Sequence, residues 1–419
     1  MAPAKPKAGH PKPKGGGSKG EGSKAEGSKS NGSKVDADKA RTLEQLLATK
    51  EIVISCGSGG VGKTTTAAAA AAMAATHLGG KVLVLTVDPA RRPASALGLE
   101  QFGNVEVRVP VEAFEAAGVE PRGELWAAML DTKQSWDDLI ARHAPDEKTR
   151  KAILANSIYQ NISGRFVQSH DYIAMERLYE IHSSGEYDLI VVDTPPTRNA
   201  IDFLEAPDRM GDFFSSKLLR WLTASSKSRV MSLASKPFYT VADRILGSQF
   251  LEDIAEFFSL FQAMAPGFVE RADAATRTLA DRRTTFLVVS TLEAAPLHEA
   301  EFFIDALDER KLHLGALVLN KVLPAYLRRT ATTGVAKRLV VDADQLADVV
   351  PDVGDHADVA RVLATIGESF LNYQVVAKRE AEQRAGLARS PEVVAAVPYF
   401  DADIHDLAGL LRLGDQIWR

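Results

Sequence analysis

The chain has 419 residues, 45% hydrophobic and 25% charged, which excludes a wholly disordered or fibrous polypeptide and allows a sizeable buried core. The formal net charge is −5, but residues 1–35 hold eight Lys against Glu21 and Glu26; removing that +6 from −5 leaves −11 on the remainder, an acidic body that argues against a face built to coat nucleic acid. Cys56 is the single cysteine, which excludes an intramolecular disulfide, a Cys-rich zinc site and a thiolate-held cluster.

Residues 1–40 form a Lys/Gly/Ser-rich stretch in which Gly-Ser-Lys returns at Gly17–Lys19, Gly22–Lys24, Gly27–Lys29 and Gly32–Lys34. It offers almost nothing apolar to bury and is expected to be disordered. It reads as a solubilising tail or as an electrostatic tether to an acidic surface. It has lysines but no apolar core of a signal peptide, and no run of about 20 apolar residues follows. The chain suits a reducing cytoplasm.

From residue 41 to 419 the pattern is that of a globular domain. Ile52–Cys56, Lys81–Val87, Leu189–Asp193, Phe286–Thr291, Leu314–Asn320 and Val393–Val397 are short apolar runs without polar alternation. They predict strands buried on both faces of a mostly parallel sheet. Helical stretches separate them, so the fold class is α/β, a doubly wound sheet. Lys63–Leu78 is Ala-rich and stops before Gly79-Gly80, as a helix would. Two helical insertions are expected, at about 135–183 and 210–282, making an inserted α-helical subdomain. In the second, Phe250, Ile254, Phe257, Phe258, Phe261 and Met264 share a helical face. That face reads either as subdomain core or as a groove for an apolar helix. Phe213–Lys236 interleaves apolar and basic residues.

Gly57-Ser58-Gly59-Gly60-Val61-Gly62-Lys63-Thr64-Thr65 follows the first strand and opens the Ala-rich helix, the context of a Walker A loop. Its glycines let backbone N–H groups turn inward on phosphate oxygens, and the helix N-terminus favours an anion. Lys63 is placed for the β- and γ-phosphates of ATP, Thr64 for Mg²⁺, and Thr65 for the α-phosphate. Asp88 and Asp193 end strands at the carboxyl edge, where such sheets bind ligands. Both are candidate metal and catalytic carboxylates; a helix N-cap is the other reading of each. Cys56 reads as a buried structural thiol or a redox sensor.

Gly57–Thr65, Asp88-Pro89-Ala90, Asp193-Thr194-Pro195-Pro196-Thr197 and Leu319-Asn320 together resemble the ArsA-like ATPases, a family that includes the arsenite-pump ATPase and the ATPase of tail-anchored membrane proteins. The resemblance covers about residues 48–419. It implies an Mg-dependent ATPase that works as a dimeric switch, with Asp88 polarising the attacking water, Asp193 opening the second switch, and Asn320, helped by Val397 and Pro398, reading the adenine. A strand-end turn is the other reading of Asn320. The resemblance also implies a hydrophobic client or partner for the helical subdomain. Ser58 stands where the class usually has a lysine that reaches across the dimer. A homodimer would then lack that charge unless Arg91, Arg92 or Arg198 supplies it, and a heterodimer with a paralogous ATPase could provide it. With Cys56 alone, neither an arsenite site nor a zinc site is expected, and membrane contact is at most peripheral. A positioning ATPase acting on membrane or nucleoid and the regulatory subunit of an ATPase pair are the alternative functions.

Overall fold

The computed structural model describes residues 42–87, 96–97, 99, 103–163, 167–195, 200–215, 248–350, 354–387 and 391–418. The strands are β1 (Ile52–Cys56), β2 (Gly80–Thr86), β3 (Val107–Arg108), β4 (Gly123–Met129), β5 (Leu189–Asp193), β6 (Thr284–Thr291), β7 (Leu314–Val322) and β8 (Val393–Pro398). The principal helices, in chain order, are α1 (Lys63–His77), α2 (Thr132–His143), α3 (Glu147–Ala155), α4 (Val167–Ser184), α5 (Ala200–Ser215), α6 (Ser248–Gln262), α7 (Ala265–Leu279), α8 (Ala294–Glu309), α9 (Thr330–Val341), α10 (His356–Ala385) and α11 (Leu407–Trp418).

The strands form one sheet in the order β3-β4-β2-β5-β1-β6-β7-β8. Every pairing is parallel except β3 with β4. Chain order reverses around β1, so the sheet is doubly wound and its carboxyl edge is open at the tip of β1, where such folds bind ligands.

Alternation along the strands divides the core in two. Ile52, Ile54 and Cys56 face one layer with Ile190, Val192, Phe286 and Val288. Val53, Val191, Leu287 and Val289 face the other. On that second side lies α1, whose Ala67–Ala72 are at most 1% exposed. Six small side chains in succession leave no bulk to hold neighbours apart, so the helix beds closely between the sheet and α11.

On the first side α2, α4, α6 and α7 meet around aromatic rings. Trp136 and Tyr172 stack at 5.9 Å between centroids, Phe257 and Phe261 lie at 4.5 Å, and Phe261 and Phe268 are near-parallel at 6.1 Å. Phe257, Phe261 and Met264 are buried. Phe257 and Phe261 of α6 are therefore core, while Ile254 and Phe258 on the same face are half-buried. Phe250 lies on α6, and the Phe213–Lys236 stretch falls largely outside the described residues.

The helices in the region expected at about 135–183 run from Thr132 to Ser184. One expectation needs correction, and one pair of strands was not foreseen. The β3–β4 pair had no apolar run to announce it. And β8, expected to be buried on both faces, is the last strand of the sheet, with Val394 exposed.

Candidate functional site

The loop between β1 and α1 is shaped by its glycines. Gly62, the N-cap of α1, has φ 95°, a conformation that favours glycine. A Cβ there would lie 2.3 Å from Asn320 Nδ2, and one on Gly57 would lie 2.1 Å from the Val289 carbonyl oxygen. The loop is thus pressed against the tips of β6 and β7. At Gly59 and Gly60 a Cβ would meet nothing within 4 Å, so the middle of the loop faces open space.

Two residues of β7 hold this loop. Asn320 Nδ2 donates to the Val61 carbonyl at 2.8 Å, and Lys321 Nζ donates to the Gly60 carbonyl at 3.1 Å. Asn320 Oδ1 in turn accepts from the Lys321 backbone N–H at 2.9 Å, across a residue whose φ is +57°. The sequence reading missed Lys321; its signal was a basic residue directly after the strand-end asparagine.

Lys63 is 5% exposed at the first turn of α1. Thr64 and Thr65 follow it, half-buried. Ser58 is buried, and among the described residues its hydroxyl has no hydrogen-bond partner. Such an orphaned buried group is ordinarily satisfied by a ligand or water. Open glycines, a buried lysine and an orphaned hydroxyl at a helix N-terminus fit the oxygens of a polyphosphate.

Asp193 ends β5 in register with Ser55 of β1 and Thr86 of β2, and it is fully buried. The next residue fastens this tip to the strand that feeds the loop: Thr194 Oγ1 donates to the Ser55 carbonyl at 2.8 Å. Asp88 lies outside the described residues, as do Arg91, Arg92 and Arg198. Among the described residues no group of three or more His, Cys, Asp or Glu side chains is arranged to hold a metal. Asp193, buried at the end of β5 beside β1, is a carboxylate that could hold a cation together with substrate phosphates and water, as Mg²⁺ is commonly held.

Asn320 is engaged with the loop backbone, and Val397 is wholly buried while Pro398 is exposed. The Val397 side chain is thus core rather than part of an open cleft. Burial pushes the Cys56 thiol up to about 12, against the opposing Thr194 hydroxyl contact and the Lys63 charge. That is the behaviour of an inert structural thiol.

A glycine-rich loop leaving the central strand of a doubly wound parallel sheet and capping a helix defines a P-loop nucleoside triphosphatase. Residues 50–351 match the anion-transporting ATPase family, ArsA ATPase; the chain belongs to that family and is an ATPase. It is 26% identical over 295 residues to ATPase get3 of Pyrenophora tritici-repentis, covering 69% of this chain and 79% of that protein. To ATPase GET3 of Phaeosphaeria nodorum it is 24% identical over 292 residues, 69% of this chain and 82% of the relative. A protein of Aquifex aeolicus named as an arsenical pump-driving ATPase is 25% identical over 277 residues, 64% of this chain and 79% of its own. Among the described residues no helix is long and apolar enough to cross a membrane.

Proposed function

We propose that the chain binds Mg·ATP in the Gly57–Thr65 cradle, hydrolyses it, and uses nucleotide state as a switch within a dimer. The observation that carries this is the buried Lys63 at the α1 N-terminus, inside a loop that β6 and β7 hold open toward solvent.

Lys63 neutralises the β- and γ-phosphates, and the loop N–H groups receive their oxygens. The Thr64 hydroxyl and the Asp193 carboxylate would hold Mg²⁺, with Asp88, which follows β2 in the sequence, as the further carboxylate. When bound, the cation neutralises charge that builds on the phosphate oxygens. The family resemblance gives Asp88 the role of polarising the attacking water. The segment after Asp193 is anchored at Thr194 to β1, so a change at the phosphates reaches it through the shared strand tips.

The second copy is drawn from the family resemblance. Ser58 offers a hydroxyl and no charge, so a homodimer has one loop lysine per subunit, Lys63. A paralogous subunit could supply the missing cation, which assays of the chain alone and mixed with such a paralogue decide. Buried Phe257 and Phe261 are core, so a hydrophobic client for the helical subdomain rests on the family resemblance alone.

The test is calorimetric titration with Mg·ATP beside a phosphate-release assay. Wild type should bind and hydrolyse, EDTA should abolish hydrolysis, and K63A should lower the rate by about 10²-fold or more. Failure of the wild type to bind Mg·ATP, or wild-type turnover in K63A, would overturn the reading.

A further inference from the structure

The chain turns sharply as it leaves β7. Pairing of β7 with β8 shifts register between Leu319 and Val322, an irregularity of the kind that re-aims side chains. Lys321 sits inside that shift with φ +57°, a conformation that a residue with a side chain keeps only where its surroundings hold it. On the loop side, Asn320 and Lys321 grip the Val61 and Gly60 carbonyls. On the other side the holder is α10. The Glu380 carboxylate accepts from the Leu323 backbone N–H at 3.0 Å. Earlier on the same helix, buried Gln374 donates from Nε2 to the Leu327 carbonyl at 2.9 Å. The segment that follows β7 is thus gripped at Leu323 and again at Leu327. The helix that grips it is itself seated on α9, on the short helix Ala343–Ala347 and on the 3₁₀ turn Ala325–Arg328.

We propose that Glu380 is a positioning residue for the ATP site, acting through the Asn320–Leu323 turn on the loop that cradles the phosphates. Val322 alone separates Lys321 from Leu323. With two soft dihedrals per residue, so short a tether passes a constraint at Leu323 directly to Lys321. The bond is charge-assisted, and such bonds are stronger than those between neutral groups. Glu380 is half-buried. Burial raises its carboxyl against the Leu323 N–H, with Glu293 adding to the rise and Arg328 opposing it. The carboxylate is therefore enclosed at the turn rather than free in water.

The inference rests on the reading of Gly57–Thr65 as the ATP cradle. Glu380 bonds to the turn and not to the loop, so its effect is indirect. It fixes the backbone from which Asn320 and Lys321 reach the Val61 and Gly60 carbonyls. Without it the turn gains other conformations, and the loop N–H groups converge on the phosphates for a smaller fraction of the time. Apparent affinity falls by that fraction. Once nucleotide is seated, Lys63 acts as before.

The experiment is phosphate release by the full chain over a range of Mg·ATP concentrations, with melting followed by circular dichroism and K63A assayed in parallel. E380A should raise KM about fivefold and leave kcat within about twofold of wild type, the signature of lost nucleotide binding. E380Q keeps an oxygen acceptor of the same reach, so its KM should return to within about twofold of wild type. E380D, whose carboxylate stops one methylene short, should repeat the E380A effect, so the result does not hang on a single variant that fails to fold. The double variant E380A/K321A should have the KM of K321A alone, because both changes act through one turn. Unchanged KM in E380A and E380D would overturn the proposal, even if both melted lower, since that is the behaviour of a merely structural residue. So would failure of E380Q to rescue, or an E380A effect that multiplies fully with that of K321A. Wild-type turnover in K63A would instead overturn the cradle reading; loss of turnover in K63A beside unchanged KM in E380A would overturn the Glu380 assignment alone.

Discussion

Asn320 and Val61 are joined by a 2.8 Å hydrogen bond that spans 259 residues of chain. It ties the tip of β7 to the phosphate-binding loop. Both partners are buried, so the bond is one whose loss leaves the Val61 carbonyl unsatisfied. N320A should therefore destabilise the loop by about 1–3 kcal/mol. Measured by titration, Mg·ATP affinity should fall about tenfold, with global melting little altered. Unchanged affinity would show that the loop holds its shape without β7.

Phe261 sits among Trp136, Tyr159, Phe257 and Phe268. As core, F261A should lower unfolding free energy by about 3–5 kcal/mol, read by urea denaturation. A lining of an open groove would lose far less, so a change below about 1 kcal/mol would speak against the core assignment.

Cys56 is buried, and its thiol is raised to about 12 by that burial. At pH 8 it stays protonated and shielded. A thiol reagent such as DTNB should label native protein negligibly and take up one equivalent only in denaturant. Rapid native labelling would return the redox-sensor reading to the field.

Asp171 on α4 is buried, and that burial raises its carboxyl to about 6, reinforced by Asp202 and opposed by Arg209. Its ordinary value is 3.8. Folding thus favours the protonated form, and the benefit is full below the unfolded value. It falls as pH rises toward about 6 and is gone above it. D171N should flatten this slope and melt higher than wild type at pH 7.5, but not at pH 4. Parallel melting profiles for the two proteins would refute the assignment.

Much of the strand pattern was legible because β1, β5 and β6 are central, and a strand covered on both faces writes itself as an unbroken apolar run. β4 escaped because Gly123-Glu124-Leu125-Trp126-Ala127-Ala128-Met129 mixes a carboxylate and small side chains into its span. At two residues, β3 is too short for any periodicity. The loop's identity was legible from the spacing of its glycines, of which Gly57 and Gly62 leave no room for a side chain. What Asn320 touches was not, because its partner is fixed by the crossover from β1 to β7. The Phe face of α6 shows the same limit: helical spacing reveals that a face is apolar, and only packing says what covers it.

The last helix extends the reach of the site. A Cβ on Gly414 of α11 would sit 2.3 Å from Met73 Cγ and 3.6 Å from the Ala69 carbonyl oxygen, so the Met73 side chain of α1 beds directly on the bare backbone of α11, with Trp418 buried beyond. Such a joint has no slack. If closure of the loop on a triphosphate tilts α1 at its phosphate end, α11 must travel with it as a lever arm, and the far side of the sheet edge feels the nucleotide through a glycine-to-methionine fulcrum.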